Sequence, residues 1–411
     1  MSSDTEPPPD GRVIIAGGGP AGMAAALFLV SEGVPVLLLE RSAQPHSDPR
    51  AATYHPPTLE MLAPSGVTAE LHDRGIVAQR WQFRDRREGL VAEFDLAALA
   101  ADTPFPYRLQ CEQHKLVAMI ERRVAASPLA EIRHDAEVTG VTQDDAGVTV
   151  TTEGSRGGPR PGRHRGRFLV GADGGRSVVR KSLGIGFEGF TWDERFLVIT
   201  TTFDFEPLGF AYSCYTMDPV EWTATFKVPG EDDRGWWRCV FPADPRAEEA
   251  GLLDFTHAQS KLQGFIPRSE PYRILHTNLY AVHQRVASRY REGRVVLVGD
   301  AAHVNNPLGG MGLNFGIHDA HNLAPRLAAI LRGEAPIDVL DQYDRQRRTV
   351  AERYLQTQTI ANKQTLEERD PLRREARKAE MRRIAADRAL SRTFLLRTAM
   401  IEGLRAAAAI A

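Results

Sequence analysis

The stretch Val13-Ile-Ile-Ala-Gly17-Gly-Gly-Pro-Ala-Gly22-Met-Ala-Ala-Ala-Leu-Phe-Leu-Val-Ser31 decides the fold of this chain. Its apolar start predicts a buried strand within Arg12–Ala16, and the alanine- and leucine-rich residues that follow predict a helix over Pro20–Glu32. A second apolar run, Val34–Leu39, predicts the next strand. A strand, a helix and a strand in this order form a βαβ unit, so we expect the chain to open with a parallel sheet.

The glycines between the first strand and the helix predict a dinucleotide site. Gly17 permits the tight turn, Gly19 lets the backbone approach a pyrophosphate, and Gly22 permits close packing of the helix. The helix N-terminus offers N–H donors to the anion, and Glu40 ends the second strand where it can bind the adenosine ribose. This motif alone leaves both FAD and NAD open as ligands.

Length and composition exclude several classes of protein. The 411 residues predict two or three folded units or one large interleaved α/β body, and 42% hydrophobic with 25% charged residues is typical of globular proteins. A net charge of −2 provides no field for collecting nucleic acid or anionic membrane. The three cysteines are far apart, and neither a secretory signal nor an uninterrupted apolar span is visible. We therefore expect a cytoplasmic protein without nucleic-acid or membrane partners.

Two later motifs repeat the pattern of an apolar strand that runs into a glycine-containing turn with an aspartate. The first is Phe168-Leu-Val-Gly-Ala-Asp173-Gly-Gly-Arg-Ser-Val-Val-Arg180. The second is Gly299-Asp300-Ala-Ala-His303, followed by Pro307-Leu-Gly-Gly-Met-Gly-Leu-Asn314. In chemical terms, Asp300 can bind a ribityl hydroxyl, and the glycine-rich loop can place backbone N–H groups against a flavin ring. His303 is interpreted as scaffolding of this loop.

With the three motifs in this order, residues 12 to about 350 resemble the flavoprotein aromatic hydroxylases typified by p-hydroxybenzoate hydroxylase. The resemblance implies an α/β fold with a Rossmann-like FAD-binding domain, an interleaved antiparallel β-sheet substrate domain and C-terminal helices. It implies FAD as the cofactor, NADPH or NADH as the co-substrate, and transfer of one oxygen atom from O2 to a small aromatic substrate through a flavin C4a-hydroperoxide. The substrate is expected to be phenolic or N-heteroaromatic, and the protein a monomer or homodimer.

The resemblance also assigns the cofactor residues. Gly17, Gly19, Gly22, Glu40 and Arg41 would hold the ADP half of FAD, Arg50 would reach the pyrophosphate side, and Gln113 would contact the flavin side. Asp173 belongs to the motif linked with FAD and reduced nicotinamide, and Asp300 would bind the ribityl chain. Pro307, Gly310, Gly312, Leu313 and Asn314 would line the isoalloxazine.

The implied division of the chain is discontinuous. Residues 1–10 are expected to be a disordered N-terminus, and residues 11–180 with 285–350 to form the FAD-binding domain. Residues 181–284 are assigned to the β-sheet substrate domain, because Phe196–Val240 alternates apolar and polar residues as an antiparallel sheet does. Residues 351–411 are expected to be helical.

The substrate side is less determined by the sequence. Candidate pocket residues are Tyr212, Tyr215, Trp222, Arg238 and His283. His283 is the first choice for an acid–base role because its ordinary pKa lies near working pH, and Tyr215 and Pro307 complete the predicted catalytic set.

Three alternative functions remain at this point. A flavin-dependent halogenase would need a Trp-x-Trp motif, which Gly235-Trp-Trp-Arg238 lacks. A reductase acting on isoprenoid chains and a flavin-binding protein without turnover are the others.

Overall fold

The structure is a computed structural model that describes residues 11–44, 51–154, 161–231 and 235–411. In chain order its strands are β1 Val13–Ala16, β2 Val36–Leu39, β3 Thr53–Tyr54, β4 Ile76–Ala78, β5 Arg80–Asp85, β6 Gly89–Asp95, β7 Arg108–Gln110, β8 Ala130–Arg133, β9 Glu137–Asp144, β10 Gly147–Glu153, β11 Gly162–Gly166, β12 Phe168–Gly171, β13 Phe187–Thr201, β14 Ser213–Met217, β15 Thr223–Val228, β16 Trp236–Ala243, β17 Ile274–Ala287, β18 Arg291–Glu292, β19 Val295–Leu297 and β20 His303–Val304. The α-helices are α1 Pro20–Ser31, α2 Pro56–Leu62, α3 Val67–Arg74, α4 Gln113–Ala125, α5 Val178–Ser182, α6 Glu249–Leu253, α7 Phe255–Phe265, α8 Gly312–Leu331, α9 Val339–Val350, α10 Thr357–Leu366, α11 Pro371–Ala386, α12 Arg388–Thr398 and α13 Ile401–Ala408.

A mostly parallel sheet carries the first and second glycine motifs. Its order is β18-β19-β12-β1-β2-β8, and only the edge pair β18–β19 is antiparallel. Every residue of β1, β2 and β12 is buried, which suits strands that are covered on both faces. The helix α1 links β1 to β2 and packs against α8. The predicted βαβ unit and Rossmann-like arrangement are confirmed.

A larger sheet forms the second layer, with the order β20-β17-β13-β16-β15-β14-β5-β6. It is antiparallel except between β14 and β5. On one face, Phe196 and Val240 join an apolar cluster with residues of α10, α12 and α13. On the other face, Leu197 and Cys239 join a cluster with α7. The alternating pattern therefore buries both faces of the sheet.

The large sheet includes a segment from early in the chain. Strands β5 and β6 pair with it, although the sequence-based division assigned residues 11–180 to the FAD-binding domain. The connection is the parallel pair β14–β5, in which Cys214 lies opposite Gln82. The outer limits of the two domains stay a prediction, and the segment of β5 and β6 contributes to the substrate-side sheet. The predicted disordered stretch 1–10 lies outside the described residues.

The C-terminal helices cover one face of the large sheet. Ion pairs join them to its edge, with Arg374 of α11 at 2.7 Å from Asp85 and Arg392 of α12 at 2.7 Å from Asp102. Lys378 of α11 also pairs with Glu88. Some of the charged side chains of α11 and α12 thus hold these helices against the rest of the protein. Among the described residues, none of the helices has the length and apolar character needed to cross a membrane.

Candidate functional site

The turn between β1 and α1 has the shape of an anion-binding loop. Gly17 has a φ of +105°, and a Cβ there would lie 2.4 Å from the carbonyl oxygen of Ala172. A Cβ on Gly22 would lie 1.9 Å from the carbonyl oxygen of Gly17. At Gly19, by contrast, a Cβ would meet no described atom within 4 Å, and no described side chain caps α1. The first-turn N–H groups therefore face an open space that suits a pyrophosphate.

Glu40 supports this loop from the end of β2. Its carboxylate accepts hydrogen bonds from the N–H of Gly18 at 2.6 Å and the N–H of Ser42 at 2.8 Å. Arg41 is exposed next to it. The structure therefore brings the predicted ADP-side residues together, and their contact with FAD stays a prediction. Arg50, assigned to the pyrophosphate side, lies outside the described residues.

Asp173 lies where β12 turns into α5. Its carboxylate accepts hydrogen bonds from the Ser177 hydroxyl at 2.5 Å and the Val179 N–H at 3.0 Å, so it shapes the start of this helix. Arg180 donates to the carbonyl of Ala301 at 2.8 Å, which ties the second motif to the third. Asp173 also lies beside Gly17 and hence beside the phosphate loop.

A buried ion cluster fixes the turn that carries Asp300. Asp319 of α8 accepts a hydrogen bond from the N–H of Gly299 at 3.0 Å and contacts His303 Nε2 at 2.7 Å and Arg347 Nε at 2.6 Å. Burial raises the pKa of Asp319, but His303 and Arg347 outweigh this effect and leave that pKa below its usual value. Asp300 lies on the exposed side of the turn. The sequence places Asp319 at the end of the third motif, in Gly316-Ile-His-Asp319, but sequence analysis assigned it no role. The interpretation of His303 as scaffolding agrees with its contact with Asp319.

The third motif forms a loop whose backbone is shaped by Asn314. Gly309 and Gly310 have φ angles of +117° and +64°, which side-chain-bearing residues rarely adopt. The Asn314 amide donates to the carbonyls of Gly310 at 2.7 Å and Thr53 at 2.8 Å, and its oxygen accepts from the N–H of His55 at 2.9 Å. The Asn314 side chain therefore fixes the loop, and these bonds leave the Asn314 backbone N–H available to a cofactor.

The other predicted isoalloxazine residues lie on the same loop. Pro307 is exposed, Leu313 is half-buried, and Gly312 is the first residue of α8. Gln113 is more distant in sequence and is the first residue of α4, where its N–H donates to the carbonyl of Ala51 at 2.9 Å. These positions are compatible with the predicted contacts, which stay predictions.

A buried amide network holds the loop from the opposite side. The Gln284 oxygen accepts from the N–H of Asn306 at 3.0 Å, and its amide donates to the Thr359 hydroxyl at 2.7 Å. The Asn306 amide donates to the Thr359 carbonyl at 2.9 Å, and its oxygen accepts from the N–H of Leu308 at 3.1 Å. Strand β17 and helix α10 thus position the loop. Amide side chains carry no sequence motif, so this network was not predicted.

A cavity lies between this loop and the large sheet. The small antiparallel sheet β3-β7-β4 forms one wall, and Tyr215 of β14 faces it from the large sheet. His55, which follows β3, contacts the carbonyl oxygen of Gly309 through Nε2 at 2.9 Å. The lining of the cavity consists of Trp81, Arg108, Tyr215, Gly309, Met311, Gln358, Asn362, Phe394 and Thr398.

The protonation of the polar wall residues follows from their burial. Burial and the charge of Arg108 lower the pKa of His55 to about 3, so this imidazole is neutral near pH 7. Burial raises the pKa of Tyr215 to about 12 against the opposing effects of Arg108 and the Gly309 backbone, so Tyr215 keeps its proton. Tyr215, part of the predicted catalytic set, thus lines the cavity as a protonated phenol.

His283 does not lie in this cavity. It is exposed on β17, and its Nδ1 is 2.9 Å from the Thr191 hydroxyl. Its neighbours Val282 and Gln284 are buried, because alternate residues of a strand point to opposite faces. An acid–base role at the substrate therefore has no support in this geometry. Of the other candidates, Tyr212 bonds to Glu206 at 3.0 Å.

The residues present fit an FAD molecule. The open space at Gly19 and the uncapped start of α1 suit the pyrophosphate, Asp300 lies on the exposed side of its turn, and the glycine loop offers backbone in place of side chains. The three motifs follow strands β1, β12 and β19, which are neighbours in the parallel sheet, and the third motif continues into α8.

Comparison with known proteins agrees with this site. A family model described as an FAD binding domain matches residues 10–358. Para-nitrophenol 4-monooxygenase of Pseudomonas sp. (strain WBC-3) is 36% identical over 96% of this chain and 96% of the relative. 6-hydroxy-3-succinoylpyridine 3-monooxygenase of Pseudomonas putida is 35% identical over 82% of this chain and 84% of the relative. The crystal structure of p-nitrophenol 4-monooxygenase from Pseudomonas putida superposes with a TM-score of 0.89 at 34% identity, covering 96% and 98% of the two chains.

Proposed function

This chain belongs to the family of FAD-dependent aromatic hydroxylases, and we propose that its substrate is a single-ring phenol bound between the Gly309–Gly310 loop and Tyr215. It is a flavoprotein monooxygenase that acts on a small aromatic compound with O2 and NAD(P)H. Bound FAD supplies the redox chemistry, accepting a hydride from the nicotinamide and activating O2. The identity of the aromatic substrate is part of the proposal, and either NADPH or NADH can be the reductant in it.

One observation carries the substrate class, which is the lining of the cavity. Small-molecule sites combine aromatic and apolar walls with a few polar groups. Trp81 and Phe394 supply aromatic faces, their ring centroids lying 5.7 Å apart. Tyr215 and Arg108 supply the polar contacts. This combination favours an aromatic ring that carries a polar group.

The relatives support the same class. Two relatives that match 82% or more of both chains are named for single-ring compounds, p-nitrophenol and a hydroxypyridine. By contrast, the chain covers only 59% to 60% of several hydroxyphenylpropionate hydroxylases. The alternatives of a halogenase, an isoprenoid reductase and a protein without turnover are set aside, because those two relatives are monooxygenases.

The chain's own residues perform three tasks in this proposal. Gln284, Asn306 and Asn314 hold the loop, whose backbone would face the flavin. Helices α10 and α12 line the cavity with Asn362, Phe394 and Thr398, and these side chains would shield the oxygen-transfer step from water. Tyr215 stays protonated and can donate a hydrogen bond to the substrate. The cytoplasmic location and a monomer or homodimer remain predictions.

A substrate panel tests the proposal. Purified holoprotein is mixed with NADPH or NADH and with 4-nitrophenol, 4-hydroxybenzoate, 3-hydroxypyridine or anhydrotetracycline, and nicotinamide oxidation and hydroxylated product are measured together. We expect at least one single-ring compound to stimulate oxidation and to gain one oxygen atom. Stimulation by the polycyclic compound alone would contradict the proposed substrate class.

A further inference from the structure

Arg108 is a buried cation with no protein partner in the described ranges. Its side chain lies on β7, is only 5% exposed, and lines the cavity. Its Nε is buried without a hydrogen bond, and none of the carboxylates in the described part of the chain forms an ion pair with it. The other buried arginine near the flavin loop, Arg347, has Asp319 as its partner at 2.6 Å.

An isolated charge in such a place is costly. Removing a guanidinium from water is unfavourable unless an opposite charge or hydrogen bonds replace the lost hydration. Burial accordingly lowers the pKa of Arg108, and only Tyr215 opposes this effect. Because arginine keeps its proton in proteins, Arg108 needs a partner that none of the described residues provides.

The other groups around the cavity cannot serve as that partner. Tyr215 and His55 are uncharged near pH 7 for the reasons given above. The remaining lining side chains, Trp81, Met311, Gln358, Asn362, Phe394 and Thr398, carry no charge. The cavity therefore has a single positive charge, with the Tyr215 hydroxyl next to it as a donor.

We propose that Arg108 and Tyr215 bind the ionised phenolic oxygen of the substrate, so that Arg108 determines the preference for phenols that can be bound as phenolates. The inference rests on the proposed function. On binding, the phenol O–H bond breaks and its proton passes to solvent, while the oxygen keeps the electron pair. A phenolate is a stronger electron donor to its ring than a phenol, so this contact prepares the ring for an electrophilic oxygen. Arg108 thus acts as a specificity-determining residue for this reaction.

Binding spectroscopy on the FAD holoprotein tests the proposal. 4-Nitrophenol and its anion have different absorption bands, so a pH titration of the bound ligand gives its apparent pKa without turnover. In the parent protein we expect this pKa to fall below that of free 4-nitrophenol. Arg108→Met should abolish the fall and weaken anion binding by roughly 10- to 100-fold, as loss of a hydrogen bond to a charged group does. Arg108→Lys should restore part of the decrease in the ligand pKa and part of the affinity for the anion.

Controls separate this role from a structural one. Arg84 lies on β5 and donates to Gln82 at 2.8 Å and to the Gly209 carbonyl at 2.9 Å, away from the cavity, so Arg84→Met should bind 4-nitrophenol as the parent does. Flavin content and the dissociation constant of FAD are measured for each variant. If the Arg108→Met protein folds and binds phenolate as the parent does but no longer binds FAD, the partner of Arg108 is the cofactor and the proposal is overturned.

Two further ligands identify the anionic oxygen. 4-Cyanophenol keeps the hydroxyl and lacks the nitro group, and 4-nitrotoluene keeps the nitro group and lacks the hydroxyl. The proposal requires Arg108→Met to weaken 4-cyanophenol binding and to leave 4-nitrotoluene binding unchanged. The reverse result would assign Arg108 to a ring substituent and overturn the proposal. A parent protein that binds none of the phenols would overturn the proposed function as well.

Discussion

Substitutions of two neighbouring glycines in the phosphate loop separate cofactor binding from folding. Gly19 has a φ of −68° and a ψ of 179°, which any residue adopts, and a Cβ there meets no described atom within 4 Å. At Gly22 a Cβ would lie 1.9 Å from the carbonyl oxygen of Gly17, which is backbone and cannot rotate away. Gly19→Val should therefore fold and Gly22→Ala should be destabilised.

The magnitudes follow from these contacts. Valine at position 19 is a poorer N-cap than glycine but restricts the unfolded chain, so the free energy of unfolding of the apoprotein should change by less than about 1 kcal/mol. The Gly22→Ala overlap should lower it by about 1 to 3 kcal/mol or more. For FAD, a side chain on Gly19 would separate the pyrophosphate from at least two N–H groups. At about 1.5 to 3 kcal/mol each, this weakens FAD binding at least about 100-fold.

Urea unfolding of the apoproteins and titration with FAD, followed by the quenching of flavin fluorescence, measure the two quantities separately. Gly251→Ala is the matched control, since that glycine lies in α6, far from the motifs in sequence, and an added methyl group there would meet no described atom within 4 Å. It should keep FAD affinity and gain about 0.5 to 1 kcal/mol of stability. A folded Gly19→Val protein with the parent's FAD affinity would show that the pyrophosphate does not bind at this turn.

Three further predictions concern the third motif. Gly310→Ala would place a Cβ 2.8 Å from the Cβ of Thr53 at a φ of +64°, so the loop must shift. Because a shifted loop would let water reach the oxygen-transfer site, we expect the variant to release more H2O2 per hydroxylated product than the parent at equal NAD(P)H consumption. Fully coupled turnover with slower flavin reduction would refute this prediction. Asp300→Ala should weaken FAD binding by about 1 to 3 kcal/mol, and an unchanged dissociation constant would remove Asp300 from the site. Asp319→Asn should lower the free energy of unfolding by about 3 to 5 kcal/mol, because Arg347 loses its buried partner. Because the pKa of Asp319 is lowered in the folded state, its ionised carboxylate stabilises the fold above the unfolded-state pKa of about 3.9, and this stabilisation is lost as pH falls through the folded-state pKa. Urea unfolding at pH 7 and pH 3 should therefore show a smaller change in the free energy of unfolding for Asp319→Asn than for the parent.

The first βαβ unit was predictable because its signals are local. Helix α1 begins at Pro20 as predicted and ends at Ser31, one residue before the predicted end. Strand β2 begins at Val36, two residues later than predicted, because the N–H of Val34 bonds to the carbonyl of Leu29 at the end of α1. A glycine motif between two apolar runs therefore sufficed to predict this βαβ unit.

The cavity wall was not predictable in the same way. Arg108 belongs to the strand β7 of three residues, and its partner β3 has two, so neither strand is long enough to show a period. Long-range pairing, in which Arg108 lies opposite Ala78 of β4, defines which side chains of this small sheet share a face. The choice of His283 shows a related difficulty, since one position along β17 separates this exposed side chain from the buried Gln284.

The Gly309 peptide joins the glycine loop of the third motif to the cavity. Its carbonyl is contacted by His55 at 2.9 Å, its backbone bonds to the Tyr215 oxygen, and the same residue lines the cavity. Glycines alone would leave this loop many conformations, since they lose more backbone entropy on ordering than any other residue. The loop is therefore held by polar side chains from distant segments, among them Asn314 and Gln284. Because the Gly309 peptide bonds to Tyr215 and also belongs to the glycine loop, we expect a ligand that moves Tyr215 to move the loop as well.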